Sequence, residues 1–293
     1  MVKGKYIIYN DGVPVAEFDN IITERGRKAI GDFLSGNRSS WSDTIAIGSG
    51  DSSPQQSDQF LDMEFRREEV DLRSYDSVNN KIKLRSRIPA SVVGKIYELA
   101  VFATSSSNRI FSVSPIISTF DASVENWQGG VTNTTDHRIG NSSHDLAPSA
   151  STESAHLDFE GDLRAYNNET KFRLAYSSTG TFSSVVVRLR SSASDYREYT
   201  FTPPSSGYQV ESWQLQDFSI TGSPEWNEIY RLEIIASGTG TITFDGLSAT
   251  DEVNDDPSNI LVSRALVNFN SQSFFQKNPR RELQIEYILD ISI

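Results

Sequence analysis

The chain has 293 residues, enough for two ordinary domains, and a formal net charge of -12 at pH 7 with a pI near 4.8. Such acidity argues against broad phosphate-backbone contact, so no nucleic-acid partner is expected. Cysteine is absent, which excludes disulfides, thiolate zinc sites and cysteine nucleophiles. No apolar run reaches the roughly 18 residues of a membrane span, so membrane insertion is not expected, and the apolar run after Lys5 is too short for a signal-peptide core.

Along the chain, Thr23 is a candidate N-cap for a helix in which Ala29, Ile30, Phe33 and Leu34 recur at three-to-four spacing until Gly36. Everything else reads as strand. The segment 44–50 ends in Gly48-Ser49-Gly50, which lacks the remainder of a phosphate-binding fingerprint and is expected to be a turn. Ile82, Leu84 and Ile88 share one face of 81–88, and 96–102 has the apolar content of a buried strand. Farther on, strands are predicted at 155–159, 171–176, 185–190, 196–201, 213–220, 230–235 and 241–244, separated by Ser, Thr, Gly and Pro turns. About seven to nine short strands suit a jelly roll or related β-sandwich. The last strand is the clearest. Leu283, Ile285, Tyr287, Leu289, Ile291 and Ile293 alternate with their neighbours, and a period-two run of that length needs a sheet to lie on.

Charge divides the chain. Residues 119–257 hold 21 Asp+Glu against 8 Lys+Arg, whereas the remainder holds 18 against 19. The organisation expected is a mainly β protein in which a discontinuous β-sandwich domain with one short helix, residues 1–118 plus 259–293, is interrupted by an inserted jelly-roll-like β-sandwich, residues 119–258. The 35 residues after the acidic block cannot make a core alone. An insertion into a surface loop is cheap, because closure cost grows only logarithmically with length.

Outside the acidic block, three stretches stand out: the helix with Gly26-Arg27, the segment ending in Gly48-Ser49-Gly50, and Leu61, Glu64 and Arg67 at Leu-x-x-Glu-x-x-Arg spacing. With Ile88-Pro89 before the strand at 96–102, the lysine-containing loop at Lys277 and the terminal strand, these resemble tailed-bacteriophage virion proteins of the tail, baseplate or fibre type. The resemblance covers roughly half of the chain and implies a structural, non-enzymatic role in the virion, assembled in the host cytoplasm. It also implies other virion proteins as partners and a homo-oligomeric state. Within the block, Phe120-Asp121 leading to Trp127, and the closing segment Ile242 to Leu247, resemble jelly-roll carbohydrate-binding modules. That likeness implies a host-surface glycan as a further partner.

Sugar recognition needs aromatic faces for the apolar faces of sugar rings. Trp226, in the loop-like segment 222–228, is the preferred glycan-binding candidate, with Tyr196 and Tyr208 beside it, while Trp213 reads as structural. Asp121, Glu125 and Asp245 form the candidate calcium site that the module likeness suggests; no other cofactor is expected. Asp158, Glu160, Asp162 and Glu169 imitate an EF-hand spacing, but Leu163 stands where that loop needs glycine, and alternation favours a strand. His137, His144 and His156 lack metal-ligand or nucleophile spacing and read as surface residues. The competing functions are capsid decoration and a glycan depolymerase using paired carboxylates, although the sequence singles out no such pair.

Overall fold

The computed structural model describes residues 3–104, 116–163, 166–168, 170–251, 256, 258–268 and 272–291. It divides into two compact units, Met1–Pro115 with Val253–Ile293, and Ile116–Glu252. The first unit begins with β1 (Lys3–Asn10), β2 (Val13–Asp19), β3 (Ile21–Ile22), α1 (Glu24–Leu34), β4 (Thr44–Gly48), β5 (Glu64–Glu69), β6 (Leu72–Asp76), β7 (Lys81–Ile88), β8 (Gly94–Ile96) and β9 (Glu98–Thr104). The second contains β10 (Ile116–Ser118), β11 (Val131–Asn133), β12 (Ser143–Leu146), β13 (Ser149–Gly161), β14 (Thr170–Arg190), β15 (Tyr196–Phe201), β16 (Ser206–Gln214), β17 (Ser219–Thr221) and β18 (Ile229–Asp251). The chain then returns to the first unit with β19 (Asn259–Leu266), β20 (Phe275–Lys277) and β21 (Leu283–Asp290). The protein is therefore mainly β, with one α-helix and antiparallel sheets.

In the first unit two five-stranded sheets run β2-β1-β21-β7-β6 and β3-β19-β9-β4-β5, beside a β20-β8 ribbon. Strand β21 lies between β1 and β7, and its alternation sends Leu283, Ile285, Tyr287 and Leu289 into the core. Tyr287 stands opposite Tyr6 with ring centroids 5.0 Å apart. The end of the periodic run, Ile293, lies outside the described residues. Side chains tie the sheets face to face: Tyr6 Oη and Ser263 Oγ on β19 are 2.5 Å apart, and Ser86 Oγ on β7 donates to the Glu69 carbonyl on β5.

Helix α1 starts as its sequence dictates, with Thr23 Oγ1 accepting from the Gly26 N–H at 2.9 Å. Its buried face differs from the periodic reading. Gly26 and Ala29 are buried, whereas Phe33 and Leu34 are 39% and 78% exposed. A Cβ at Gly26 would lie 2.1 Å from the Val262 carbonyl oxygen. Close backbone approach onto β19, rather than the apolar stripe, docks this helix.

In the second unit two strands do the work expected of four. Residues 171–179 of β14 pair with β16 and with the 241–250 part of β18, while residues 185–190 pair with β15 and with residues 231–236. The two strands thus pass from one layer of the sandwich to the other. Gly180 and Gly240 face each other at the crossing, with φ of +143° and +123°. In sequence these glycines look like turns, but they let the ladder bend without ending it. The expected strand at 213–220 is instead broken by a 3-10 turn at Leu215–Asp217. Trp213 consequently lies near the end of β16 and not at the start of a strand. Val187, Leu189, Leu232 and Ile234 from one layer meet Phe172, Leu174, Phe244 and Leu247 from the other in one apolar cluster.

Candidate functional site

Two motif glycines of the first unit, Gly48 and Gly50, close around a buried carboxylate. Glu98, at the start of β9, is fully buried and accepts from the backbone N–H groups of Gly50, Asp62 and Met63 at 2.9–3.1 Å. Arg264 of β19 completes its shell, with Nη2 2.8 Å from Glu98 Oε2, and also reaches Asp58 and Asp62. Burial pushes the Glu98 carboxyl up, opposed by the Arg264 charge. Glycine is required beside it: a Cβ on Gly48 would lie 2.4 Å from Glu98 Oε1, and one on Gly50 would lie 2.2 Å from Asp62 Cβ. Next to this node Arg67 forms a two-pronged pair with Glu64, at 2.8 and 2.6 Å, and its guanidinium lies 3.7 Å from the Phe102 ring centroid. Leu61 is buried in the same region. These residues hold the unit together. A groove of about 780 Å³ runs along α1, with Ile21, Ile30, Leu34 and Arg27 in its walls, and contains none of the candidates chosen from sequence.

In the second unit the three aromatic candidates stand in separate surroundings, each under an arginine. Tyr208 on β16 has the Arg138 guanidinium 3.4 Å from its ring centroid. Tyr196 on β15 lies opposite Arg190 and has Arg188 and Arg190 at 4.5 and 4.9 Å. Trp226 lies in the loop between β17 and β18, where its carbonyl accepts the Leu163 N–H at 2.7 Å and its ring packs, partly exposed, against the core. Arg197 sits 4.3 Å from the indole centroid. Trp213 is buried, with Tyr199 stacked on it at 4.5 Å.

Arg197 differs from the other arginines of its layer. Arg188 is paired with Glu198 and Glu233, Arg190 with Glu233, and Arg231 with Asp158, all at 2.6–2.9 Å. Among the described residues the Arg197 side chain makes no hydrogen bond or ion pair; its Nε is buried without a partner. Burial draws its pKa down and no neighbouring acid raises it. Sequence reading passed over it. Arg197 stands opposite the buried Leu189 and shares its strand face with Tyr199 and Phe201, an unusual position for a charge. Strand parity was the available signal.

The three carboxylates offered as a calcium site are separate structural acceptors. Glu125 takes donors from the Thr119 and Phe120 backbones, Ser118 and Thr119 hydroxyls, and Trp127 Nε1 at 2.6–3.1 Å. Asp121 accepts from Asn141 and Ser123 N–H groups and from Ser142 Oγ. Burial raises the Asp121 pKa, but these donors outweigh it and hold the carboxyl below its usual range. The ladder register skips Asp245 between Phe244 and Gly246, which turns it toward the N–H groups of Arg138 and Ile139 at 2.6 and 3.3 Å. Burial pushes Asp245 well above the carboxylate range, against those two donors. Oxygens occupied by N–H and O–H donors do not fit a cation, and among the described residues no group of three or more His, Asp or Glu is placed to hold one.

Two lesser readings resolve similarly. His144 is buried rather than on the surface, because its ring stacks on Trp127 at 5.4 Å and its Nε2 lies 2.7 Å from the Gly129 carbonyl. Burial lowers its pKa. Asp158 lies in β13, bonded to Arg231, as expected of a strand with a solvated face. Glu169, the last member of the EF-hand spacing, lies outside the described residues.

No family model matches the chain, and no curated protein matches it. Among solved structures, PfGH50B is similar over 47% of this chain at 12% identity and a TM-score of 0.36, and this chain spans 24% of its length. The family 11 carbohydrate-binding module from Clostridium thermocellum, in complex with a β-1,3-1,4-mixed-linked tetrasaccharide, is similar over 48% of this chain and 96% of its own, at 11% identity and a TM-score of 0.39. The enzymatically active domain of bacteriophage CBA120 tailspike protein 4 is similar over 50% of this chain and 23% of its own, at 16% identity and a TM-score of 0.29.

Proposed function

We propose that this chain is a non-enzymatic structural component of a tailed-phage particle, in the tail, baseplate or fibre, and that its second unit contacts host-surface glycan. The observation that carries the glycan role is the pairing of a partly exposed Trp226 with Arg197. It combines an aromatic face with a cation that has no ion-pair partner among the described residues. The particle role rests on the motif pattern of the first unit. Several copies on one particle would convert weak individual contacts into avidity.

Retention of the intact protein on a broad glycan array tests the binding role. Retention lost in Trp226→Ala, with the melting temperature maintained, is the expected result; no retention by the parent protein would remove the glycan role. Imaging of the particle tests placement, and density for this chain on the head shell would favour capsid decoration instead.

A further inference from the structure

Resting on the glycan reading above, we infer that the ligand is an anionic saccharide, carrying a carboxylate or sulfate, and that Arg197 is the residue that meets its charge. Trp226 then acts chiefly as the platform that orients the guanidinium. An arginine taken partly out of water without an acid is costly, and this unit has acids in excess. Residues 119–257 carry 21 Asp+Glu, and three neighbouring arginines of the same layer are paired. Among the described residues Arg197 nevertheless has no acid partner. Glu225 and Glu228 flank Trp226 in its loop, yet neither forms an ion pair with it among the described residues.

What holds Arg197 is the indole, 4.3 Å away. The indole covers one side of the guanidinium and Nε is buried, which leaves the two Nη groups as the donors for a ligand. The Nη1–Nη2 end of a guanidinium binds a planar carboxylate or a sulfate through two parallel hydrogen bonds. Its placement at β15, where the strand emerges from the loop 191–195, sets the charge at one end of the sandwich. The excess negative charge around it contributes selectivity: a polyanion would be repelled from most of this unit and accepted where the Arg197 guanidinium stands.

The test uses the intact protein and three probes in titration calorimetry: a tetragalacturonate, its full methyl ester, and a sulfated galactose tetrasaccharide. Binding of the acid, the sulfate or both, with the ester weaker by about tenfold or more, is expected, together with a similar loss for the acid form in Arg197→Gln. Arg231→Gln removes the same charge from an internally paired site and is expected to leave binding unchanged. Arg197→Lys, which keeps the charge but loses the planar fork, falls between the two and serves if Arg197→Gln does not fold. Equal binding of acid and ester, or undiminished binding by both Arg197 variants, would overturn the inference. Binding of neutral sugars that is abolished by Trp226→Ala would retain the glycan reading while removing this one; no binding of any probe or array glycan removes both.

Discussion

At the residue scale, function and stability draw on the same chemistry with opposite arrangements. Glu98 is a charge whose every oxygen contact is internal, and Arg264 answers it. Removing one member of such a pair strands the other, so Arg264→Met is expected to cost about 3–5 kcal/mol, read as a fall in the first unit's denaturation midpoint. Asp121 gives a pH-dependent counterpart. Its folded-state pKa lies below the ordinary value of 3.8, so its stabilisation is present above that value and is lost as pH falls through the folded pKa. Asp121→Asn is expected to lower stability by about 2 kcal/mol at pH 7, with the difference from the parent shrinking in melts below pH 3.8. An unchanged difference down to pH 2 would show that the carboxylate charge is not what holds Asn141 and Ser123. Asp121 was visible in sequence as an acid of the Phe120-Asp121 motif and Glu98 as a polar residue in an apolar strand, but the partner of Glu98, Arg264, lies 166 residues away. Spacing alone carries no record of such a pair. Arg197 was legible only through strand parity, as a charge on the face that carries Tyr199 and Phe201.

At the element scale, what could be read from sequence was periodicity, and what could not was continuity. The alternation from Leu283 to Asp290 became a central strand, and the Thr23 cap became the helix start. The crossing strands β14 and β18 were split in sequence because Gly180, Gly238 and Gly240 carry the chemistry of turns. In the fold they occupy φ values of +143°, +148° and +123°, which side chains rarely adopt. Space forbids a side chain too: a Cβ on Gly240 would lie 2.1 Å from the Thr179 carbonyl oxygen. Gly240→Ala is therefore expected to destabilise the second unit by roughly 1–3 kcal/mol, whereas Gly12→Ala, where nothing lies within 4 Å despite a φ of +77°, pays only the conformational part. Comparing the two melting shifts separates steric contact from backbone strain. The helix poses the same question. Gly26→Ala would drive a methyl group into the Val262 carbonyl, which is 2.1 Å from the position of its Cβ, so a residue that improves helix propensity is expected to lower stability.

At the scale of the whole molecule, the register of the first unit says how an acidic block can interrupt it. Thr104 at the end of β9 and Asn259 at the start of β19 are opposite one another in an antiparallel ladder. The strands that flank the block are therefore hairpin partners, and such partners are ordinarily joined by two to five residues. Closing them through a long folded segment costs only logarithmically more than closing them through a short turn. If that is how the chain is organised, residues 1–104 joined to 259–293 by a turn such as Asn-Gly with short flanks should fold without the second unit. The expected result is one cooperative melt with near-ultraviolet signal from the buried Tyr6–Tyr287 pair, whose rings are 5.0 Å apart, and sensitivity to Arg264→Met equal to that of the intact protein. Loss of cooperativity in the joined chain would mean that the second unit supplies stability to the first. Retention of glycan binding by the joined chain would be equally damaging, since Arg197 and Trp226 would be gone and the binding role would have to move to the other unit.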